Sequence, residues 1–140
     1  MEIKDIQKEI IEEFAFFDDW TQRYEHMIAL GKSLPIIDEA NKKDDYLIKG
    51  CQSKVWVFPE FKEGKVVFTA DSDAIITKGI VALLLRVFSN QTPESILKAD
   101  TTFIDEIGLK EHLSPTRANG LVSMIKQLKM YALAYQSKLN

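Results

Sequence analysis

From Ala74 to Phe88 the chain is apolar almost all round, with Ile75, Ile76, Ile80, Val81, Leu83, Leu84, Leu85, Val87 and Phe88. A helix that is hydrophobic on every face has to be surrounded by the rest of its domain. This stretch therefore predicts a central buried helix, and the flanking segments must supply its cover. Ile3, Ile6, Ile10, Phe14 and Phe17 recur at three- and four-residue steps and form one apolar helix face. Asp18 and Asp19 offer an N-cap for a second helix with the stripe Trp20, Tyr24, Met27 and Ile28. Gly31 reads as the stop of that helix, with Pro35 beyond it. Thr92-Pro93-Glu94 and Ser114-Pro115 each pair a capping residue with proline at the first helical position. The second of these opens a long final helix, whose inner face carries Leu121, Met124, Ile125, Leu128, Tyr131 and Tyr135.

Between the second helix and the central one the period changes. Leu34 to Asp45 is polar and irregular and reads as a surface loop. Lys54 to Phe58 and Lys65 to Thr69 are β-branched and aromatic, which suits strands, and Pro59 to Gly64 between them reads as the turn. Tyr46-Leu47-Ile48 supplies a third, shorter candidate. A sheet this small needs helices packed on it. The fold class is therefore α+β: a small antiparallel β-sheet of about three strands covered by several α-helices, in one domain over residues 1–140. A length of 140 residues, 46% of them hydrophobic, suffices for such a core.

A net charge of −3 gives no basic field for nucleic acid. No apolar run approaches the roughly 20 residues of a membrane span. The opening Met1-Glu2-Ile3-Lys4-Asp5 lacks the order of a signal peptide, and the single cysteine suits a reducing compartment, so a cytoplasmic location is expected. There is no phosphate loop and no Gly-x-Gly-x-x-Gly run. His26 and His112 have no companions at metal-ligand spacing, so no metal is expected. Glu12-Glu13 and Asp44-Asp45 read as solvated surface.

Cys51, in Gly50-Cys51-Gln52-Ser53-Lys54-Val55-Trp56, is the only thiol. Alone it closes no internal disulfide. Gly50 tolerates a tight turn and a strand follows, which places Cys51 at or near a loop tip. Two readings stand side by side: a small buried hydrophobe, or a nucleophile and group carrier.

The blocks Gly50-Cys51-Gln52-Ser53-Lys54-Val55-Trp56, Asp71-Ser72-Asp73-Ala74, Lys78-Gly79 and Leu113-Ser114-Pro115-Thr116-Arg117 with Gly120-Leu121 occur in an order and at a spacing that resemble the SufE family of sulfur acceptors. Trp20, Arg23-Tyr24, Gly31 and Leu34-Pro35 fit the same pattern, so the resemblance runs from about Phe14 into the last helix. It implies a fold like that of IscU-type cluster scaffolds. It implies a protein that takes sulfur from a SufS-type cysteine desulfurase as a persulfide on Cys51, stimulates that enzyme, and passes sulfur to a SufB-type scaffold for iron–sulfur cluster assembly. Pyridoxal phosphate is expected in the desulfurase only, with no cofactor on this chain and no independent turnover. One cysteine is too few to hold a cluster as the three-cysteine scaffolds do. The thiol is expected to rest against apolar side chains, with a raised pKa, and to swing out on docking.

Around Cys51, Gly50, Gln52 and Ser53 are expected to shape the loop or meet the partner, with ordinary turn chemistry as the alternative. Asp73 reads as the N-cap of the central helix, while the resemblance sets it near the cysteine loop. Arg117 is a cation in the first turn of a helix, against the dipole; the resemblance implies partner contact for it, with a free surface charge as the alternative. Lys78 reads as a solvated or snorkelling side chain and Trp56 as core beneath the loop. Two other classes of function remain: a non-covalent allosteric activator of a desulfurase with Cys51 dispensable, and a stand-alone thiol enzyme.

Overall fold

The computed structural model describes residues 2–139. The chain runs α1 (Ile3–Ala15), α2 (Trp20–Lys32), 3-10 turns at Glu39–Asn41 and Asp44–Tyr46, β1 (Val55–Lys62), β2 (Lys65–Ser72), α3 (Ile75–Phe88), α4 (Pro93–Lys98), α5 (Thr102–Glu106), a 3-10 turn at Lys110–His112, and α6 (Pro115–Leu139). It is the α+β class expected. The helix read as central is α3, which packs against α1, α2, β2 and α6. Ile80, Leu83, Leu84 and Phe88 of α3 are fully buried with Ile10, Phe14, Met27 and Phe68. Burying one such side chain contributes about 1.5–3 kcal/mol, so this cluster supplies the main cohesion of the fold.

Several caps sit where the sequence places them. Asp19 accepts from the Gln22 N–H at 2.9 Å, Thr92 from Ser95 at 3.2 Å, and Ser114 from Arg117 at 3.2 Å. Gly31 does not end α2, which continues to Lys32 with Ser33 as its cap. It lies instead where α2 crosses α3. A Cβ on Gly31 would come within 3.1 Å of the Gly79 nitrogen, and one on Gly79 would collide with the Met27 carbonyl oxygen. Two glycines thus let the two backbones touch. Gly79→Ala is expected to force these helices apart and destabilise the protein by about 1–3 kcal/mol. The check is thermal unfolding, and an unchanged Tm would refute the close crossing.

Among the described residues the sheet has two strands, and the third candidate shrinks to a single bridge between Leu47 and Trp56. The hairpin turn is also tighter than the sequence reading. Strand β1 continues through Pro59 to Lys62, and only Glu63 (φ 52°) and Gly64 (φ 82°) form the turn. Positive φ at both positions matches the twist of the strands. Pro59 fits because β1 lies at the edge of the sheet, where a proline nitrogen can face away from the paired strand. Carbonyls on that open edge are met by hydroxyls of α6: Tyr131 reaches Val57 O at 3.4 Å and Tyr135 reaches Pro59 O at 3.5 Å. The outer edge of β2 is covered by Pro35–Ile37 and by Asn90–Gln91.

Val55 and Val57 face the core, so Trp56 points to the opposite side. It lies half-buried there, with the Lys42 ammonium 5.7 Å from its ring centroid, and is not beneath the cysteine loop as expected. Lys42 and Lys78 both reach the Asp71 carboxylate, at 2.6 and 3.3 Å, so Lys78 is paired and not merely solvated. Burial works upward on Asp71, but hydrogen bonds from Lys42, the Ser72 backbone and Lys78 outweigh it, and its pKa lies below the usual value. Glu13 likewise departs from the solvated reading. It accepts from Arg86 at 2.7 and 3.0 Å and contacts His26 at 2.6 Å, tying α1, α2 and α3 together.

Candidate functional site

Ile48 and Val55 close the base of a six-residue excursion, residues 49–54, through the Ile48 N–H to Val55 O bond of 2.8 Å. Strand β2 extends to Ser72, so α3 begins at Ile75 behind Ala74 with no side-chain cap. Asp73 is therefore not a helix cap. Its Oδ1 accepts from the Lys54 N–H at 3.0 Å, and its own N–H donates to Lys54 O at 3.3 Å. The carboxylate takes the place of the next ladder carbonyl and pins the exit of the cysteine loop to the start of α3. The Ser72 hydroxyl accepts from the Ala74 N–H at 3.3 Å.

The loop lies on the first turns of α6. Gly50 has φ +90°, and a Cβ there would stand 2.6 Å from the Ser123 hydroxyl. On the other side Gly120 faces the thiol, and a Cβ on it would lie 3.4 Å from Cys51 Sγ. Glycines at both positions allow the loop to settle flat against the helix. The Cys51 S–H donates weakly to the Gly120 carbonyl at 3.7 Å. Thiol and loop share a crevice with Thr77 and Ile80 of α3 and with Thr116, Arg117, Gly120 and Met124 of α6. Its free volume is about 10 Å³, close to the space that one water needs.

Cys51 is half-buried, and burial pushes its thiol pKa up. Among the described residues no cation is bonded to the sulfur to oppose that shift. The neutral thiol is the resting form, and nucleophilicity at neutral pH is low until the loop moves. Alkylation of Cys51 in the folded protein is expected to reach its half-maximal rate at a higher pH than a free cysteine peptide, and urea should restore the peptide value. A midpoint at or below that of the peptide would contradict the buried resting thiol.

The remaining residues expected at this site separate into two groups. Ser53 is half-buried and lines the crevice. Gln52 and Arg117 also line it but are exposed. Arg117 is the third residue of α6, with its N–H bound to Ser114. The α6 start is held by α2: the Trp20 ring stacks on His112 at 3.9 Å, Arg23 reaches Ile107 O at 3.4 Å, and the Tyr24 hydroxyl donates to the His112 carbonyl. Thr77, Gly120 and Ser123 were not singled out by chemistry in the sequence. Only Gly120 carried a signal, as part of a matching block. Among the described residues, no three His, Cys, Asp or Glu side chains gather as a metal set. No described helix is long and apolar enough to cross a membrane.

Comparison with known proteins extends this geometry. The SufE family model, described as an Fe–S metabolism associated domain, matches residues 8–132. An uncharacterized SufE-like protein of Rhizobium meliloti is 40% identical over 129 residues, covering 89% of this chain and 92% of its own. One of Synechocystis is 36% identical over 127 residues, covering 91% and 80%. The solution structure of a hypothetical protein from Thermus thermophilus shares the fold, with TM-score 0.79 at 20% identity over 94% of this chain and 96% of that one. The pinned cysteine loop thus stands in a chain that matches the family across nearly its whole length, and the protein belongs to the SufE family, with a role in iron–sulfur metabolism.

Proposed function

We propose that this protein accepts sulfur from a cysteine desulfurase of the SufS type as a persulfide on Cys51, and delivers it to an iron–sulfur scaffold of the SufB type. The observation that carries the reading is a lone thiol, half-buried, on a short loop fastened at both ends and seated over a water-sized crevice. In the transfer step the Cys51 thiolate attacks the outer sulfur of the persulfide on the desulfurase. The new S–S bond forms on Cys51, the old one breaks, and the donor cysteine leaves as a thiolate that takes a proton. The two cysteines exchange one sulfur, and no external oxidant or reductant enters. Delivery repeats the same exchange with the scaffold as attacking thiolate.

Each part of the site serves one requirement of this chemistry. Burial keeps the resting thiol protonated and shields it from adventitious oxidants. The backbone and carboxylate bonds at Ile48, Lys54 and Val55 define a hinge, so the five residues between them, 49–53, can move out together. Exposed Gln52 and Arg117 mark the surface presented to the donor. The test is turnover of a SufS-type desulfurase on cysteine with and without this protein. Sulfide release should rise and saturate with added protein. An unchanged rate at saturating protein, with loading of Cys51 absent, would reject the proposal.

A further inference from the structure

Thr77 is a hydroxyl on the buried side of α3, whose two charged side chains, Lys78 and Arg86, are paired with carboxylates elsewhere. It is buried, at 5% exposure, and lines the crevice under Cys51 beside Ile80. A buried hydroxyl without a partner is costly, so such groups are almost always hydrogen-bonded. Among the described residues the Thr77 side chain forms no hydrogen bond, and no sealed side-chain nitrogen or oxygen is left without a partner. Its oxygen is therefore not sealed off, and the crevice that Thr77 lines is the space beside it. The resting Cys51 sulfur does not use it, since the thiol is directed at the Gly120 carbonyl. The structure sets a donor beside a space that suits one water or one atom of similar size.

A cysteine that carries a second sulfur becomes a stronger acid, and its terminal sulfur is an anion near neutrality. An apolar crevice disfavours that anion unless a donor meets it. Among the described residues, Arg117 is the one charged side chain that lines the crevice, and it is exposed. The buried donor is Thr77.

We propose that Thr77 holds the outer sulfur of a Cys51 persulfide, donating its hydroxyl proton to that sulfur in the crevice. This rests on the reading of Cys51 as the sulfur-carrying residue, but its test needs no desulfurase. Inorganic polysulfide loads the thiol directly: the Cys51 thiolate attacks one sulfur and a shorter polysulfide leaves. The proposal then separates the two forms of the same residue. Removing the hydroxyl should disturb the persulfide and leave the bare thiol alone.

The variants are Thr77→Val, which is nearly the same size, and Thr77→Ser, which keeps the hydroxyl. The rate of alkylation is followed against pH for the thiol and for the polysulfide-loaded protein, with thermal unfolding as a check that each variant folds. In Thr77→Val the persulfide midpoint should rise by about one pH unit, a tenfold weaker acid. The thiol midpoint should stay, and Thr77→Ser should restore the persulfide value. A purely structural role would move both midpoints together. That outcome, no movement of either, or failure of the folded wild type to load at all, would overturn the proposal. Should Thr77→Val be unstable, Thr77→Ala is read the same way. If polysulfide loading follows the expected pattern while a desulfurase does not load Cys51, the assignment of Thr77 stands and the choice of sulfur donor falls.

Discussion

Cys51→Ser is expected to abolish sulfur acceptance and to bring desulfurase stimulation down to the rate of the enzyme alone. Serine is slightly smaller than cysteine and forfeits only the weak, long thiol contact to the Gly120 carbonyl, while the bonds at the loop base are untouched, so the loop should seat as before. Stability should change by less than about 1 kcal/mol. What serine lacks is a thiolate: its hydroxyl stays protonated and does not attack sulfur in an S–S bond. The variant therefore isolates the chemistry from the docking. Stimulation that survived in Cys51→Ser would show that the protein activates its partner by binding, and would remove persulfide transfer from the account. Competition supplies a second readout, because the variant should still dock and inhibit the wild type when added in excess.

Asp73→Ala should release the cysteine loop. The carboxylate accepts from the Lys54 N–H at 3.0 Å and so fastens the side of the loop that leads into β1. A hydrogen bond to a charged acceptor contributes roughly 1.5–3 kcal/mol. The pair is exposed, so the lower end of that range applies. A loss of about 1.4 kcal/mol makes the open loop about tenfold more populated. Alkylation of Cys51 at neutral pH should then speed up by a similar factor. Two changes act in the same direction, exposure of the sulfur and relief of the burial that raises its pKa. Asp73→Asn keeps an acceptor oxygen and should give a smaller increase. Equal rates in wild type and Asp73→Ala would mean that the carboxylate does not restrain the loop.

The helices were readable because their signals are local. Asp19, Thr92 and Ser114 cap within three residues of themselves, and the stripe on α6 is a simple period. The α+β class followed from one almost wholly apolar helix and two β-branched runs. What misled was each residue with a local meaning that a distant contact overrode. Gly31 looked like a helix stop but serves a crossing with Gly79, on the far side of the hairpin in sequence. Pro59 looked like a turn, but on an edge strand its missing N–H costs no ladder bond. Asp73 looked like an N-cap because the end of β2 could not be fixed to the residue. Trp56 differs from these: a local signal, alternation with the inward Val55 and Val57, turns it to the opposite face.

At the site the sequence supplied the thiol and its loop, and the structure supplied the floor. Gly120, Ser123 and Thr77 meet the loop only after α3 and α6 have packed. No spacing rule links Cys51 to a glycine in a helix 69 residues later. The resemblance marked the Gly120 block without giving it a task, and Thr77 has no mark in sequence beyond being a hydroxyl in an apolar run.

The most direct test of the central claim is the intact mass of the protein after incubation with a SufS-type desulfurase and free cysteine, measured without reductant. A mass gain of one sulfur atom that maps to Cys51 and disappears with dithiothreitol is the expected result. An unchanged mass beside a desulfurase that is nevertheless stimulated would contradict Cys51 as the carrier of sulfur.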